Sequence, residues 1–377
     1  MPERALRFSQ SDLRNWNLLE HFRKVVVPLV ESVPKAATEL DPRRQLVAEE
    51  YFSLFLFRML NPIITSMRGL CAATKFKKMR SVCRTPVAPS SFSEAQHLFD
   101  PEILGQAIRQ LAAEAHGMIG FGDPRVRAAI KTLTIVDGTV LRAVNRMAWA
   151  PAAGFGSALR LHLHFSVYDQ MPTDWSITPG NASEAKEWKK KTKTEDFYVV
   201  DRLYGQDLLH LKQLQKRGVQ FVVRICENVV RTPVGPDRPL TEADHQAGVT
   251  SDRLEELGLF GGGPALRLVQ VRADGKTFLL ATTRQDLPAE MIGLIYRYRW
   301  QVELFFKWLK AMLPCGHWIA ESPRGATLQI YSLLIAALLL FLWTGRRPTK
   351  RQMEALWFYW SGFADADELA NALKTNR

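Results

Sequence analysis

The chain has 377 residues, of which 47% are hydrophobic and 23% charged, with a formal net charge of +12 and a pI of about 9.6. That composition is globular, neither disordered nor fibrous, and the length suits two or three structural units around one or two cores. A basic balance of this size favours a polyanionic partner, nucleic acid before membrane, over a merely soluble basic protein.

In chain order, the opening "MPERALRFSQSDLRNW" is polar and charged and predicts no signal-peptide core. Apolar residues then recur at helical spacing in "LLEHFRKVVVPLVESV" and "LVAEEYFSLFLFRML", so residues 1–126 are expected to be helical. The segment "KFKKMRSVCR" gathers Lys75, Lys77, Lys78, Arg80 and Arg84, and reads either as a solvated basic loop or as a set of phosphate contacts. In "SSFSEAQ", Ser91 precedes Glu94 at the spacing of a capping box and predicts a helix start there. Cys71, Cys83, Cys226 and Cys315 are scattered without C-x-x-C pairing, as buried or free thiols of a reducing compartment would be.

The texture changes near Arg127. "AAIKTLTIVDGTVLRAV" holds a strand-like run from Leu133 to Val136, then Asp137-Gly138. "SALRLHLHFSVYD" alternates as a strand does, and "DWSITPGN" predicts a short strand and a turn. "ASEAKEWKKKTK" reads as a charged helix, "DFYVVDRLYG" as a buried strand ending at Asp201, and "QDLLHLKQLQKRG" as a helix closed by Gly218. "VQFVVRICEN" is a further strand. Strands that come first and then alternate with helices predict an α/β domain with a mixed sheet. His162 and His164 share one face of their strand, but no third ligand follows at a zinc spacing, and outward polar positions beside a ligand site account for the pair. Lys186, Lys189, Lys190, Lys191 and Lys193 read as a solvated helix face, with DNA contact as the alternative.

Residues 228–286 are rich in Gly and Pro. "GLFGGGPALRLVQVRADGKTFLLATT" predicts two strands around a turn at Asp274-Gly275, so the stretch reads as a mainly β insertion. "FGGGP" lacks the Lys-Ser/Thr ending of a phosphate loop. "YRYRWQVELFFKWLK" predicts an apolar helix from Tyr296 to Lys310. On an ideal helix Tyr296, Arg299, Glu303 and Lys310 project within an arc of about 60°, and Lys307 lies about 20° beyond its edge, on the same side. Taken alone, this is a helix with one salt-bridged wet face. "LQIYSLLIAALLLFLW" falls short of the roughly 20 apolar residues that span a membrane and reads as a buried core helix. Residues 346–377 form a short amphipathic tail.

Aspartates at strand ends project into the crevice where α/β sheets hold ligands. Asp137, Asp201 and Glu303 thus supply three carboxylates able to converge. Gathered anions repel unless cations sit between them; Mg²⁺ takes such oxygens, and a two-metal site suits phosphoryl transfer.

"TIVDGT", "VVDRLYG" and Tyr296-x2-Arg299-x3-Glu303-x6-Lys310 resemble the three signatures of the IS4-type DDE transposases, the last at every spacing. The likeness runs from about Arg127 to near Trp343. It implies an α/β fold: an RNase H-like core with a mixed five-stranded sheet in residues 127–227 and 287–345, interrupted by the β-rich insertion 228–286. An N-terminal α-helical DNA-binding domain, 1–126, would precede it, and the tail 346–377 would follow. The resemblance implies that Asp137, Asp201 and Glu303 form a catalytic, metal-binding triad for two Mg²⁺ ions, with Mn²⁺ able to substitute. Tyr296, Arg299 and Lys310 would meet DNA phosphates, joined by Lys307 and by Lys75, Lys77, Lys78, Arg80 and Arg84. Trp300 matches a tryptophan that holds a flipped base in some relatives, with core packing as its plainer reading. The insertion has no tryptophan, so either another aromatic such as Phe260 takes that task or the hairpin step is handled differently. The activity implied is cut-and-paste transposition in the bacterial cytoplasm, at the nucleoid. Its partners would be double-stranded terminal inverted repeats and target DNA, its form a homodimer on two ends, with no membrane involved. A non-catalytic DNA-end-binding protein and an RNase H-like structure-specific nuclease are the alternatives.

Overall fold

The computed structural model describes residues 17–34, 41, 44–61, 63–152, 154, 156–259, 262–312 and 317–374. Phe260, Cys315 and the first sixteen residues lie outside these. In chain order the helices are α1 (Asn17–Ser32), α2 (Ala48–Leu60), α3 (Met67–Ala73), α4 (Pro89–Leu98), α5 (Glu102–Ala115), α6 (Pro124–Ala129), α7 (Glu184–Lys191), α8 (Leu208–Lys216), α9 (Glu242–Gln246), α10 (Ala289–Arg297), α11 (Trp300–Met312), α12 (Pro323–Thr344), α13 (Lys350–Ser361) and α14 (Ala366–Lys374). The strands are β1 (Leu133–Arg142), β2 (Pro151–Ala152), β3 (Gly156–Ser166), β4 (Met171–Pro179), β5 (Phe197–Val200), β6 (Gln220–Arg224), β7 (Arg231–Pro233), β8 (Val249–Leu257), β9 (Ala265–Ala273) and β10 (Lys276–Thr282). They divide between two compact units: Met1–Ile119 with Leu141–Leu159 and Phe306–Arg377, and Gly120–Val140 with Arg160–Phe305.

The first unit is mainly helical. Its central helix is α12, which is longer than its most apolar stretch suggests. Ser322 caps it by accepting from the Gly325 N–H, Pro323 opens it, and Gly345 ends it at a φ of 71°. At 22 residues it is long and apolar enough to cross a membrane, but 83% of its most apolar window is buried inside the protein. It packs on α2 and α5. An aromatic group of Tyr51, Phe55, Phe92 and Phe99 fills the space between α2 and α4. The helix expected to start at Ser91 starts earlier. Pro89 holds its first turn with Ala88 at the cap, because proline's fixed φ is already helical, so Ser91 lies inside the helix and no side chain caps it. Glu50, 2% exposed, accepts from the backbone and side chain of Arg84 at 3.1 and 2.6 Å and ties the basic segment to α2.

The second unit carries most of a ten-stranded mixed sheet in the order β2-β3-β1-β5-β6-β10-β9-β8-β7, with β4 also paired to β3. β1, β5 and β6 are parallel neighbours, and β10 continues antiparallel to β6. The sheet therefore exceeds the expected five strands, because the strands of residues 228–286 extend it rather than forming a separate body. The turn at Asp274-Gly275 is present, both residues having positive φ (50° and 70°), the requirement of a tight two-residue hairpin. β8 is not among the expected strands. Its sequence, "VTSDRLEEL", looks too charged, but Asp252 is 4% exposed and paired with the buried Arg267 at 2.6 Å. The core beneath β5 and β6 joins Trp188 of α7 and Leu211 and Leu214 of α8 to Tyr198, Val200, Phe221 and Val223. Burying such side chains contributes about 1.5–3 kcal/mol each.

Candidate active site

β1 does not stop at Val136. It runs on through Asp137 and Gly138 to Arg142, so Asp137 is a mid-strand residue and not the terminal one expected. Gly138 looks like punctuation in the sequence, yet its φ is not positive and the backbone stays extended there. What ends at Val136 is the ladder to β5. Its last register pair is Val136 with Val200, and Asp201 follows β5 directly. The two aspartates therefore occupy equivalent positions on parallel neighbours, strands that lie about 4.8 Å apart.

Glu303 comes from α11. The expected single helix from Tyr296 to Lys310 is two helices, broken at Tyr298 and Arg299. The Tyr298 side chain helps to fix the break: its hydroxyl accepts from the Asp123 N–H at 2.7 Å and its ring meets Phe121 edge-on. Tyr296 thus lies in the last turn of α10, Arg299 in the break, and Glu303 in the first turn of α11. Their common side survives the break. The Tyr296 hydroxyl donates to Asp201 Oδ1 at 3.1 Å. Arg299 Nη2 donates to Glu303 Oε1 at 2.6 Å, and its Nη1 stands 4.0 Å from Asp137 Oδ2. The guanidinium also lies 5.8 Å from the Tyr296 ring centroid, within cation–π range.

Arg299 is the electrostatic centre of this group. Burial alone would lower its pKa, but Tyr296, Glu303 and Asp201 outweigh it and raise it. Asp137 shows the opposite imbalance. Burial pushes its carboxyl up to about 7; the Gly138 N–H and Arg299 pull down, while Glu184 and Glu303 push up. Tyr296 is raised by burial and by Asp201. A carboxylate so placed is short of positive charge.

Carboxylate oxygens are the donors a hard divalent ion takes, and Asp137 carries an uncompensated burial that such an ion would relieve. The donor chemistry fits. Among the described residues, no three Asp, Glu, His or Cys side chains stand gathered around one point; Arg299 reaches between Glu303 and Asp137 instead.

With this geometry, similarity to known proteins becomes informative. The family described as the transposase DDE domain matches residues 129–339. The chain belongs to that family. A Sinorhizobium fredii protein named as a transposase is 25% identical over 276 residues, 68% of this chain and 76% of that protein. The protein assigned as transposase to insertion sequence element IS4SA of Synechocystis sp. is 24% identical over 336 residues, 86% and 89% of the two chains. The one assigned to element IS5377 of Geobacillus stearothermophilus is 27% identical over 214 residues, 56% of each. The protein is thus a DNA transposase of the DDE type, an enzyme class that depends on divalent metal ions and acts on transposon ends.

Trp300 is 55% exposed, so core packing does not account for it. Lys307 and Lys310 are exposed on α11. Lys75, Lys77, Lys78 and Arg80 are exposed in the first unit around a short 3-10 helix, Lys77–Ser81, while Arg84 is held by Glu50. In the α7 run, expected as a solvated face, Lys189, Lys190 and Lys191 pair with Asp207, Glu187 and Asp174 at 2.5, 2.5 and 2.6 Å. His162 and His164 are buried, at 4% and 5% exposure, rather than outward, and His162 bonds Thr178 at 2.8 Å. One carboxylate near Asp137 is not evident from the sequence: Glu184, hidden in a stretch that reads as a charged surface helix. The one available signal is its place at a helix start, shortly after a Pro-Gly turn.

Proposed function

We propose that Asp137, Asp201 and Glu303 are the catalytic acids of a cut-and-paste transposase, held in an RNase H-like core. The observation that carries this reading is the register of β1 and β5, which sets two aspartates side by side, together with Arg299, which links Glu303 to Asp137. The strand order β3-β1-β5-β6, with β4 also paired to β3 and β1, β5 and β6 mutually parallel, supports the core assignment. The three carboxylates would hold two divalent ions, Mg²⁺ or Mn²⁺, which supply activation of an attacking oxygen and stabilisation of a leaving one.

The chain's own residues bind and orient. Tyr296 holds Asp201 in place through its hydroxyl. Arg299, once released from the acids, meets a DNA phosphate with a planar two-pronged donor. Lys310 and Lys307 add charge along the same helix, and Lys75, Lys77, Lys78, Arg80 and Arg84 engage the duplex backbone. Trp300, exposed directly after Arg299, offers a face on which an unpaired base can stack. Water attacks at the element's end and frees a 3′ hydroxyl, which then attacks target DNA. Positioning and charge neutralisation do most of the work. Residues 1–126 read the terminal inverted repeats, residues 228–286 act as the β-rich insertion of the core, and the working form is a homodimer on two ends in the bacterial cytoplasm.

The test is nicking of end-bearing DNA with Mg²⁺ or Mn²⁺. Wild type should cut, chelation should stop it, and Glu303→Gln should lower the rate by about 10³-fold or more. Equal cutting by both proteins would remove Glu303 from the chemistry. End binding without cutting would identify a non-catalytic binder, and cut but never joined products a structure-specific nuclease.

A further inference from the structure

We propose that Glu184 is a positioning residue of the transposase centre, holding the strand segment of Asp137 and the turn of Asp201 at a fixed separation. This rests on the assignment of those two aspartates as catalytic. Glu184 is the first residue of α7, and its side chain is only 10% exposed. One carboxylate oxygen pairs with Arg160 of β3, whose guanidinium also donates to the Gly180 carbonyl at 3.2 and 3.0 Å. The other accepts from the Tyr204 hydroxyl at 3.2 Å. Tyr204 belongs to the Asp201 turn: its N–H closes on the Asp201 carbonyl at 3.0 Å. Its ring, 1% exposed, meets Trp188 at 5.5 Å and 87°, and Trp188 lies one turn along α7 from Glu184.

On the opposite side, Glu184 lies against Gly138. A Cβ there would stand 3.0 Å from Glu184 Cδ, a tight contact that would press on the carboxylate. Gly138 is not required by a positive φ, and the absence of a side chain leaves room for the Glu184 carboxylate. Its N–H donates to Asp137 Oδ1 at 2.8 Å. An unbroken path results: Asp137, Gly138, Glu184, Tyr204, Asp201. The Arg160–Glu184 pair is nearly buried, and two apolar side chains in place of both partners would often be as stable. Holding two acid-bearing segments in register is a task that packing alone does not explain.

The full chain is compared as wild type, Glu184→Gln, Tyr204→Phe and Glu303→Gln in two measurements: nicking of end DNA, and thermal stabilisation by Mn²⁺ without DNA. Glu184→Gln is expected to cut about 10–100-fold more slowly and to need several-fold more Mn²⁺ for half-maximal stabilisation, with end-DNA affinity unchanged. Tyr204→Phe is expected to move both in the same direction by less. Should Glu184→Gln fail to fold by circular dichroism, Tyr204→Phe decides alone. Wild-type rates and Mn²⁺ midpoints in the folded variants, with Glu303→Gln inactive, overturn the role of Glu184 and leave the transposase centre standing. If wild type does not nick at all, the catalytic reading fails separately, and an unmoved or absent Mn²⁺ midpoint overturns the positioning role by itself.

Discussion

At the scale of single residues, burial sets the chemistry. His162 and His164 are enclosed in β3, and burial pulls both down to about 4. Because the folded value lies below the unfolded one of 6.5, protons are taken up on unfolding between these limits. Stability is therefore full above pH 6.5 and falls as pH drops toward 4, by on the order of 1–3 kcal/mol for each histidine. Urea unfolding at pH 7 and pH 5 should show this loss, and His164→Phe, which keeps a ring against Tyr198, should shrink it. An identical pH slope in the variant would acquit the histidine. The same scale explains what the sequence conceals. Asp137, Asp201 and Glu303 are legible because their strands and signature spacing frame them. Glu184 is not legible, because its neighbours are lysines and its partners, Arg160 and Tyr204, lie 24 and 20 residues away.

At the scale of elements, most strands and helices follow from periodicity, and the exceptions share a physical cause. β8 is masked by Asp252 and Glu255, whose charge is neutralised by Arg267 and Arg231 from other strands. The break between α10 and α11 contains neither glycine nor proline, and depends on the Tyr298 hydroxyl finding a backbone N–H 175 residues away. Residues 228–286 are legible as β, but their continuity with the sheet is not. That continuity makes a prediction. β10 covers the edge of β6 through the pairs Leu280–Arg224 to Thr282–Val222, and Leu257, Leu266, Leu268, Leu279 and Ala281 complete the core under Trp188. A chain lacking residues 228–286 would bare that edge and part of that core, so light scattering should find self-associated material. A folded monomer would mean that the insertion is dispensable to the sheet.

For the molecule as a whole, the net charge of +12 governs its attraction to DNA. Each phosphate neutralised releases counterions, so log K should fall with log salt by about 0.9 per contact. Fluorescence anisotropy on end DNA should give a steep negative slope. Replacing Lys77 and Lys78 by alanine should flatten it by roughly 1–2 units if both touch phosphates. A slope near zero in wild type would separate the charge from binding.

The β1–β5 register reaches further than the placement of two side chains. Side chains alternate along a strand, so a slip of one residue would turn Asp137 to the far side of the sheet. What prevents slippage is the greasy ladder that precedes it: Leu133 against Phe197 and Ile135 against Val199. Buried residues thereby guard the spacing of the acids. Lesions in that ladder should surface as faults in cutting well before the fold itself gives way.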